Sequence, residues 1–162
     1  MSRGTFRITA IVLVMLVMLG AGWVMGRVGI GSRVERSALS DLERQFSDRM
    51  KNVALVGSFT VDGRDNVPSR SDRYDISSVD KVGPDQWRFT AHLSYGNVSL
   101  PFVVTMVWAG DTPMITMTDA TIPTLGTFTA RVFFYGDRYS GTWQHGQFGG
   151  HMSGRIEKSP GR

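Results

Sequence analysis

Hydrophobic and polar residues follow three different patterns along the chain. Residues 8–26 are almost entirely apolar, with no charged side chain between positions 8 and 25. In a second segment, about residues 35–51, apolar residues recur at spacings of three and four, as they do on one face of a helix. From Val53 onward, apolar and polar residues alternate within short segments that turn residues separate, which predicts β-strands. We therefore expect an all-β domain preceded by two helices.

The first segment has the length of a membrane-spanning helix. About twenty apolar residues are needed to cross the hydrocarbon core of a bilayer, and residues 8–26 reach that length. Trp23 is typical of a membrane interface, and residues 24–26 match a signal-peptide cleavage site poorly. We predict a cytoplasmic tail over 1–7, a transmembrane anchor in the lipid bilayer over 8–26, and a domain in the periplasm or outside the cell. A cleaved signal peptide and a buried core helix are the alternatives.

The second segment predicts a short amphipathic helix within a linker region that spans residues 27–52. Ser40 and Glu43 have the spacing of a capping box, so the helix is expected over about 40–51. We expect its apolar stripe to dock on the β-domain. A coiled coil between two copies of the chain is the alternative, although the pattern covers only about two heptads. The stripe consists of Leu39, Leu42, Phe46, Met50 and Val53.

The remaining domain, residues 53–158, predicts eight antiparallel strands in a meander, followed by a tail over 159–162. Nearly every connection is short and contains glycine or proline, so neighbouring strands should pair. Eight such strands form a small barrel or a strongly curved sheet. The predicted strands are 53–61, 73–82, 86–95, 99–109, 113–121, 126–136, 138–145 and 150–157, with a polar loop over 62–72.

The fourth predicted strand differs from the others because both of its faces are apolar. A strand with this pattern is covered on both sides. We expect the amphipathic helix to provide the second cover. One face carries Phe102, Val104, Met106 and Trp108, and the other carries Val103 and Val107.

Large aromatic side chains dominate the predicted inner face. We expect structural roles for Phe46, Trp87, Trp108 and Trp143. Trp143 is predicted to be a buried anchor of the last hairpin, where glycines allow the backbones to approach closely. So many aromatic rings should fill a barrel of this size. The alternative to a filled barrel is a small apolar ligand bound in the barrel mouth.

Charge and composition exclude several classes of chemistry. The chain carries a net charge of +4, but its excess arginines flank the apolar segment, and residues 37–162 contain 13 basic and 13 acidic residues. The domain therefore lacks the basic surface that nucleic acid requires, so no nucleic-acid partner is predicted. The sequence contains no cysteine, so neither a disulfide nor a catalytic thiolate is available.

Candidate catalytic and metal-binding residues are few. His92, His145 and His151 are weak candidates for a zinc site, which would require the three side chains to converge. Their spacing does not indicate convergence. The sequence contains no nucleophile elbow, phosphate-binding loop or zinc-protease motif. We predict that the protein is not an enzyme and has no cofactor or bound metal.

Three short segments resemble a group of small bacterial envelope proteins that have an N-terminal hydrophobic segment. The segments are residues 55–60 (LVGSFT), 108–113 (WAGDTP), and 141–146 (GTWQHG) with the nearby 149–151 (GGH). The resemblance covers about residues 40–158. It implies a bacterial origin and an exported domain, and it transfers no catalytic or binding residue.

Two classes of function are compatible with these features. The first is a membrane-anchored binding or interaction module, whose partner is another envelope protein or a small apolar ligand. The alternative is a structural or accessory subunit of an envelope complex. A cavity of about 300 Å³ or more would favour a ligand, whereas a filled barrel with an exposed apolar patch would favour a protein partner.

Overall fold

The computed structural model describes residues 16–18, 20–23, 26, 33–64, 67–93, 98–122 and 126–159. The chain divides into two compact units, Met1–Ser32 and Arg33–Arg162. In the first unit the described residues are helical and exposed. The predicted tail over 1–7 and much of the predicted anchor over 8–26 lie outside the described residues. Across the described ranges, none of the helices combines the length and the apolar character needed to span a bilayer.

The second unit is a closed barrel of eight antiparallel strands, as the alternation pattern predicts. Each strand pairs with its neighbours in sequence, and the first strand pairs with the last from Val53↔Lys158 to Phe59↔Met152. The strands are β1 (Val53–Phe59), β2 (Arg70–Lys81), β3 (Gln86–Leu93), β4 (Val98–Ala109), β5 (Thr112–Ile122), β6 (Gly126–Tyr135), β7 (Arg138–His145) and β8 (Phe148–Lys158). The predicted meander is confirmed, and of the two predicted forms, a small barrel or a strongly curved sheet, the barrel is observed.

Two irregularities bend the strands of the barrel. The register shifts between Ile76 and Ser78 in β2, and between Met117 and Ala120 in β5, where Asp119 adopts a φ of 48°. Such bulges increase local twist and curvature, which a closed eight-stranded sheet requires. Strand β2 also begins three residues earlier than predicted, and the polar loop before it is correspondingly shorter.

A 3₁₀ turn (Arg36–Ala38) and a short α-helix, α1 (Asp41–Arg49), precede the barrel within the second unit. The start of α1 is a complete capping box, since the Ser40 hydroxyl accepts from the Glu43 backbone N–H and the Glu43 carboxylate accepts from the Ser40 N–H. The Ser47 hydroxyl donates to the Val79 carbonyl oxygen at 2.6 Å, and Lys81 pairs with Glu43. These contacts attach the helix to β2.

Helix α1 lies at one end of the barrel. Phe46 packs against Trp87 near the start of β3, Trp108 near the end of β4, and Phe134 near the end of β6. In an antiparallel meander these three positions share one end of the barrel. The predicted docking is observed for Leu39, Phe46 and Met50, which are buried. Leu42, in contrast, remains 42% exposed.

Candidate interaction surface

An exposed row of apolar side chains crosses the outer face of the barrel. Val107 on β4 lies directly opposite Met114 on β5, which lies opposite Phe133 on β6. Val107 is 41% exposed and Phe133 43% exposed, and Tyr135, two residues further along the same face of β6, is 66% exposed. We call Val107, Met114, Phe133 and Tyr135 the outer apolar row.

The helix does not cover this row, contrary to the expectation from the two apolar faces of β4. Helix α1 inserts Phe46 among inward-facing aromatic rings, so it closes the end of the barrel and leaves the outer surface of β4 uncovered. The inner face of β4 is nevertheless covered as expected, because Val104 and Met106 are buried in the core. At Val107, therefore, no described part of the chain covers the second apolar face of β4.

Polar residues border the outer apolar row. Arg131, next to Phe133 on the outer face of β6, donates hydrogen bonds to the Met117 carbonyl oxygen and, at 2.8 Å, to the Thr118 hydroxyl. Ser140 lies opposite Phe133 on β7. An apolar centre with a polar rim is the usual composition of a protein–protein contact surface.

A small groove lies between α1 and the β4–β5 hairpin. Its volume is about 120 Å³. The Arg49 guanidinium lies 5.7 Å from the centre of the Phe46 ring, and Pro113 opposite Trp108 forms part of the wall. The groove is lined by Leu42, Gln45, Phe46, Arg49, Trp108, Asp111 and Pro113. Because β4 and β5 also carry Val107 and Met114, the groove and the outer apolar row lie on opposite faces of one hairpin.

Inside the barrel, one tyrosine extends across two glycines to an aspartate. Tyr139 on β7, Gly154 on β8, Gly57 on β1 and Asp72 on β2 are consecutive partners across the sheet. The Tyr139 hydroxyl donates to Asp72 Oδ1 at 3.3 Å. A Cβ atom on Gly57 would lie 2.5 Å from the Tyr139 hydroxyl, and one on Gly154 would lie 2.7 Å from the tyrosine ring. Only glycine at both positions leaves space for this side chain.

Burial raises the pKa of the Asp72 carboxyl above its ordinary value, and hydrogen bonds from Tyr74 and Tyr139 oppose the rise. Burial, together with the nearby Asp72 carboxylate, also raises the pKa of the Tyr139 phenol. Asp72 is only 7% exposed, and among the described residues its Oδ2 atom has no hydrogen-bond partner. A charged carboxylate is therefore poorly solvated at this position.

We predict that Asp72→Asn raises the thermal midpoint of the full chain at pH 7. Because the pKa of Asp72 is higher in the folded state than in the unfolded state, Asp72 contributes favourably to the free energy of unfolding at low pH. That contribution is lost as the pH rises through the folded-state pKa. The difference in midpoint between variant and wild type should therefore shrink as the pH falls toward about 4, near the ordinary pKa of aspartate. Thermal unfolding of both proteins between pH 4 and pH 7 measures this difference in midpoint. A difference that stays constant with pH would contradict the prediction.

The barrel interior is occupied by side chains. Its buried core includes Trp87, Phe89, Met106, Phe134 and Tyr139. The groove of about 120 Å³ and a second pocket of about 10 Å³ beside Phe59 are both smaller than the roughly 300 Å³ of an ordinary ligand site.

The three histidines lie at separate places in the barrel. His92 is on the outer face of β3, and His151 is on the outer face of β8. His145, on the inner face of β7, stacks on Phe128 with ring centres 4.3 Å apart. In the strand order of the barrel, β3 is four strands from β7. Within the described ranges, no three His, Cys, Asp or Glu side chains are grouped so that they could hold a metal ion.

The predicted structural aromatic residues divide between the two ends of the barrel. Phe46 and Trp87 are buried and Trp108 is half-buried, and the three meet at the helix end. Trp143 packs against Phe59 at the opposite end, with ring centres 5.8 Å apart. It is half-buried and not fully buried as predicted. The expected close approach of glycine is found at Gly150, where a Cβ atom would lie 3.2 Å from the Trp143 Nε1.

Sequence reasoning missed the pairing of Tyr139 with Asp72. A weak indication was present, because Gly57 interrupts an apolar strand and Gly154 lies in the last predicted strand. Interior glycines often mark a close approach of another group. Only the register of β1 with β8 shows that these two glycines are neighbours.

The chain was compared with protein-family models, with curated proteins and with solved structures, and none of the three comparisons found a match.

Proposed function

We propose that this protein is a membrane-anchored, non-catalytic interaction module that binds another protein of the bacterial envelope through the outer apolar row. The observation that carries the proposal is the exposure of Val107, Phe133 and Tyr135 on a barrel whose interior is filled. The anchor and the location outside the cytoplasm are proposed from the apolar run over residues 8–26. The balanced charge of residues 37–162 supports a protein partner over a nucleic acid.

The chemistry of the row supports a protein as the partner. Aromatic residues and methionine are enriched at protein interfaces, where aromatic rings supply large contact areas. Contiguous exposed apolar patches are uncommon on monomeric proteins and often mark interaction sites. The row joins residues on three adjacent strands, so a rigid sheet holds it in place. The partner is expected to present an apolar surface surrounded by polar groups.

A site-specific crosslinking experiment tests this proposal. A photo-crosslinking amino acid is placed at Phe133 or, as the matched control, at Ser153 on the outer face of β8, which is also exposed. After irradiation of native membranes, we expect a single adduct of defined mass from position 133 and none from position 153. With the crosslinker at Tyr135, Val107→Ser should reduce the adduct at least threefold in protein that thermal unfolding shows to be still folded.

Two results would contradict the proposal. Equal yields of adduct from positions 133 and 153 would indicate non-specific collisions. Unchanged adduct in the Val107→Ser variant would indicate that the apolar row does not contribute to the contact.

A further inference from the structure

The groove between α1 and the β4–β5 hairpin has features that the fold itself does not require. Leu42 belongs to the apolar stripe of α1, yet it is 42% exposed and lines the groove. Gln45 and Arg49 follow it along the helix, and Asp111 lies at the tip of the hairpin. The side chains that stabilise the barrel end, Phe46 and Trp108, form the apolar wall.

We propose that this groove binds one aliphatic side chain of the partner polypeptide, with an adjacent acidic residue of that polypeptide contacting Arg49. This inference rests on the proposed function, because the same partner would contact the outer apolar row. The ligand is thus a short segment with the pattern of an aliphatic residue followed by an aspartate or a glutamate.

The size of the groove suits a single side chain. Its volume is about 120 Å³. An engineered protein cavity of about 150 Å³, lined by aliphatic and aromatic residues, binds benzene. A groove of similar size therefore has space for the side chain of a leucine or valine. Burying an aliphatic side chain of this kind contributes favourably to binding because it removes apolar surface from water.

The charges at the groove give the bound segment a direction. Arg49 is exposed, and its guanidinium lies against the Phe46 ring, so the cation is held beside the apolar wall. A carboxylate on the partner can form a bidentate pair with such a guanidinium. Asp111 lies on the hairpin and accepts a hydrogen bond from the Thr112 hydroxyl. It places a negative charge on the other side of the groove, which disfavours the reversed orientation of an acidic segment.

The position of the groove connects it with the outer apolar row. Trp108 and Pro113 are direct cross-strand partners that line the groove, and the next pair along the same two strands is Val107 and Met114. A partner segment that crosses the tip of this hairpin from its outer face would therefore reach the groove. Leu42 and Val107 are two positions for which the sequence predicts a cover and which remain exposed, and they lie on either side of this hairpin.

Peptide titration of the full chain in detergent micelles tests the proposal. The indole N–H resonance of Trp108 is assigned by comparison with Trp108→Phe and followed during addition of acetyl-Leu-Glu-amide, acetyl-Ala-Glu-amide or acetyl-Leu-Gln-amide. We expect saturable shifts at millimolar concentrations of acetyl-Leu-Glu-amide and at least threefold weaker binding of the other two peptides. Arg49→Gln should remove the preference for Glu over Gln but retain the preference for Leu over Ala. Arg155→Gln, on the outer face of β8, is the matched control and should leave both preferences unchanged.

Several outcomes would overturn this inference. Equal binding of the leucine and alanine peptides, or no saturable shift with any peptide, would exclude a side-chain site. A Trp108 shift that depends on protein concentration alone would indicate a second copy of the chain in the groove. If no peptide binds but crosslinking from Phe133 is specific, the proposed function stands and only the groove is rejected as a binding site. Specific peptide binding without that crosslinking would reject the outer apolar row.

Discussion

Replacing Phe46 with alanine is expected to destabilise the barrel by about 3–5 kcal/mol, as truncations of other buried phenylalanines do. Phe46 is only 2% exposed, and its ring contacts Trp87, Trp108 and Phe134 at centre-to-centre distances of 5.5 to 6.0 Å. The loss combines the transfer free energy of the ring with the cavity left among three aromatic neighbours. Chemical denaturation of the full chain measures the change in the free energy of unfolding.

Leu42→Ala is the matched control for Phe46→Ala, because both residues lie on the apolar stripe of the same helix. Leu42 is exposed, so its truncation should change the free energy of unfolding by less than about 1 kcal/mol. Similar losses for the two variants would show that the helix does not insert Phe46 into the end of the barrel.

Replacing Gly57 with alanine is expected to be at least as damaging, with a loss of about 3 kcal/mol or more. The added methyl group would meet the Ser153 carbonyl oxygen, would lie 2.5 Å from the Tyr139 hydroxyl, and would lie 2.8 Å from the Gly154 Cα. Two of these three neighbours are backbone atoms of β8, which can move only if the barrel distorts. Overpacking of this kind commonly costs about 1–3 kcal/mol, and more where the neighbours cannot move.

The control for Gly57→Ala is Gly149→Ala. The nearest atoms to a Cβ at Gly149 are the Trp143 carbonyl oxygen at 3.2 Å and an Asp62 carboxylate oxygen at 3.3 Å. Small adjustments relieve these contacts, so the loss should be less than about 1 kcal/mol. A mild effect of Gly57→Ala would mean that Tyr139 does not lie across the two glycines.

Much of the barrel could be predicted from sequence because its determinants are local. Period-two alternation locates strands such as β3 and β6, glycine turns such as Gly136 separate them, and the capping box at Ser40 marks the start of the helix. Each of these features is determined by residues that are neighbours in the chain. The order of antiparallel strands then follows from short connections, and closure of the sheet removes its exposed edges.

The errors concern positions that local patterns do not encode. Alternation places Tyr139 and Trp143 on the same face of β7, but their depth along the barrel axis depends on the stagger of all eight strands. For that reason Tyr139 is fully buried and Trp143 is not. Similarly, the apolar faces of α1 and β4 indicate that each of these elements must be covered. They do not indicate which element provides the cover. The sequence predicts a cover for Leu42 and Val107, but both are exposed in the structure, where they mark the groove and the outer apolar row.

Closure of the barrel through β1 and β8 also determines when this protein can complete its folding. The pairing of Val53 with Lys158 joins the first and last strands of the domain, so the sheet cannot close before β8 has been synthesised. Contacts so distant in sequence slow folding. Until β8 is in place, the open edges of β1 and β7 are available to pair with other chains. A nascent or prematurely terminated chain is therefore prone to aggregation. For this reason, β8 has a greater effect on the yield of folded protein than its length suggests.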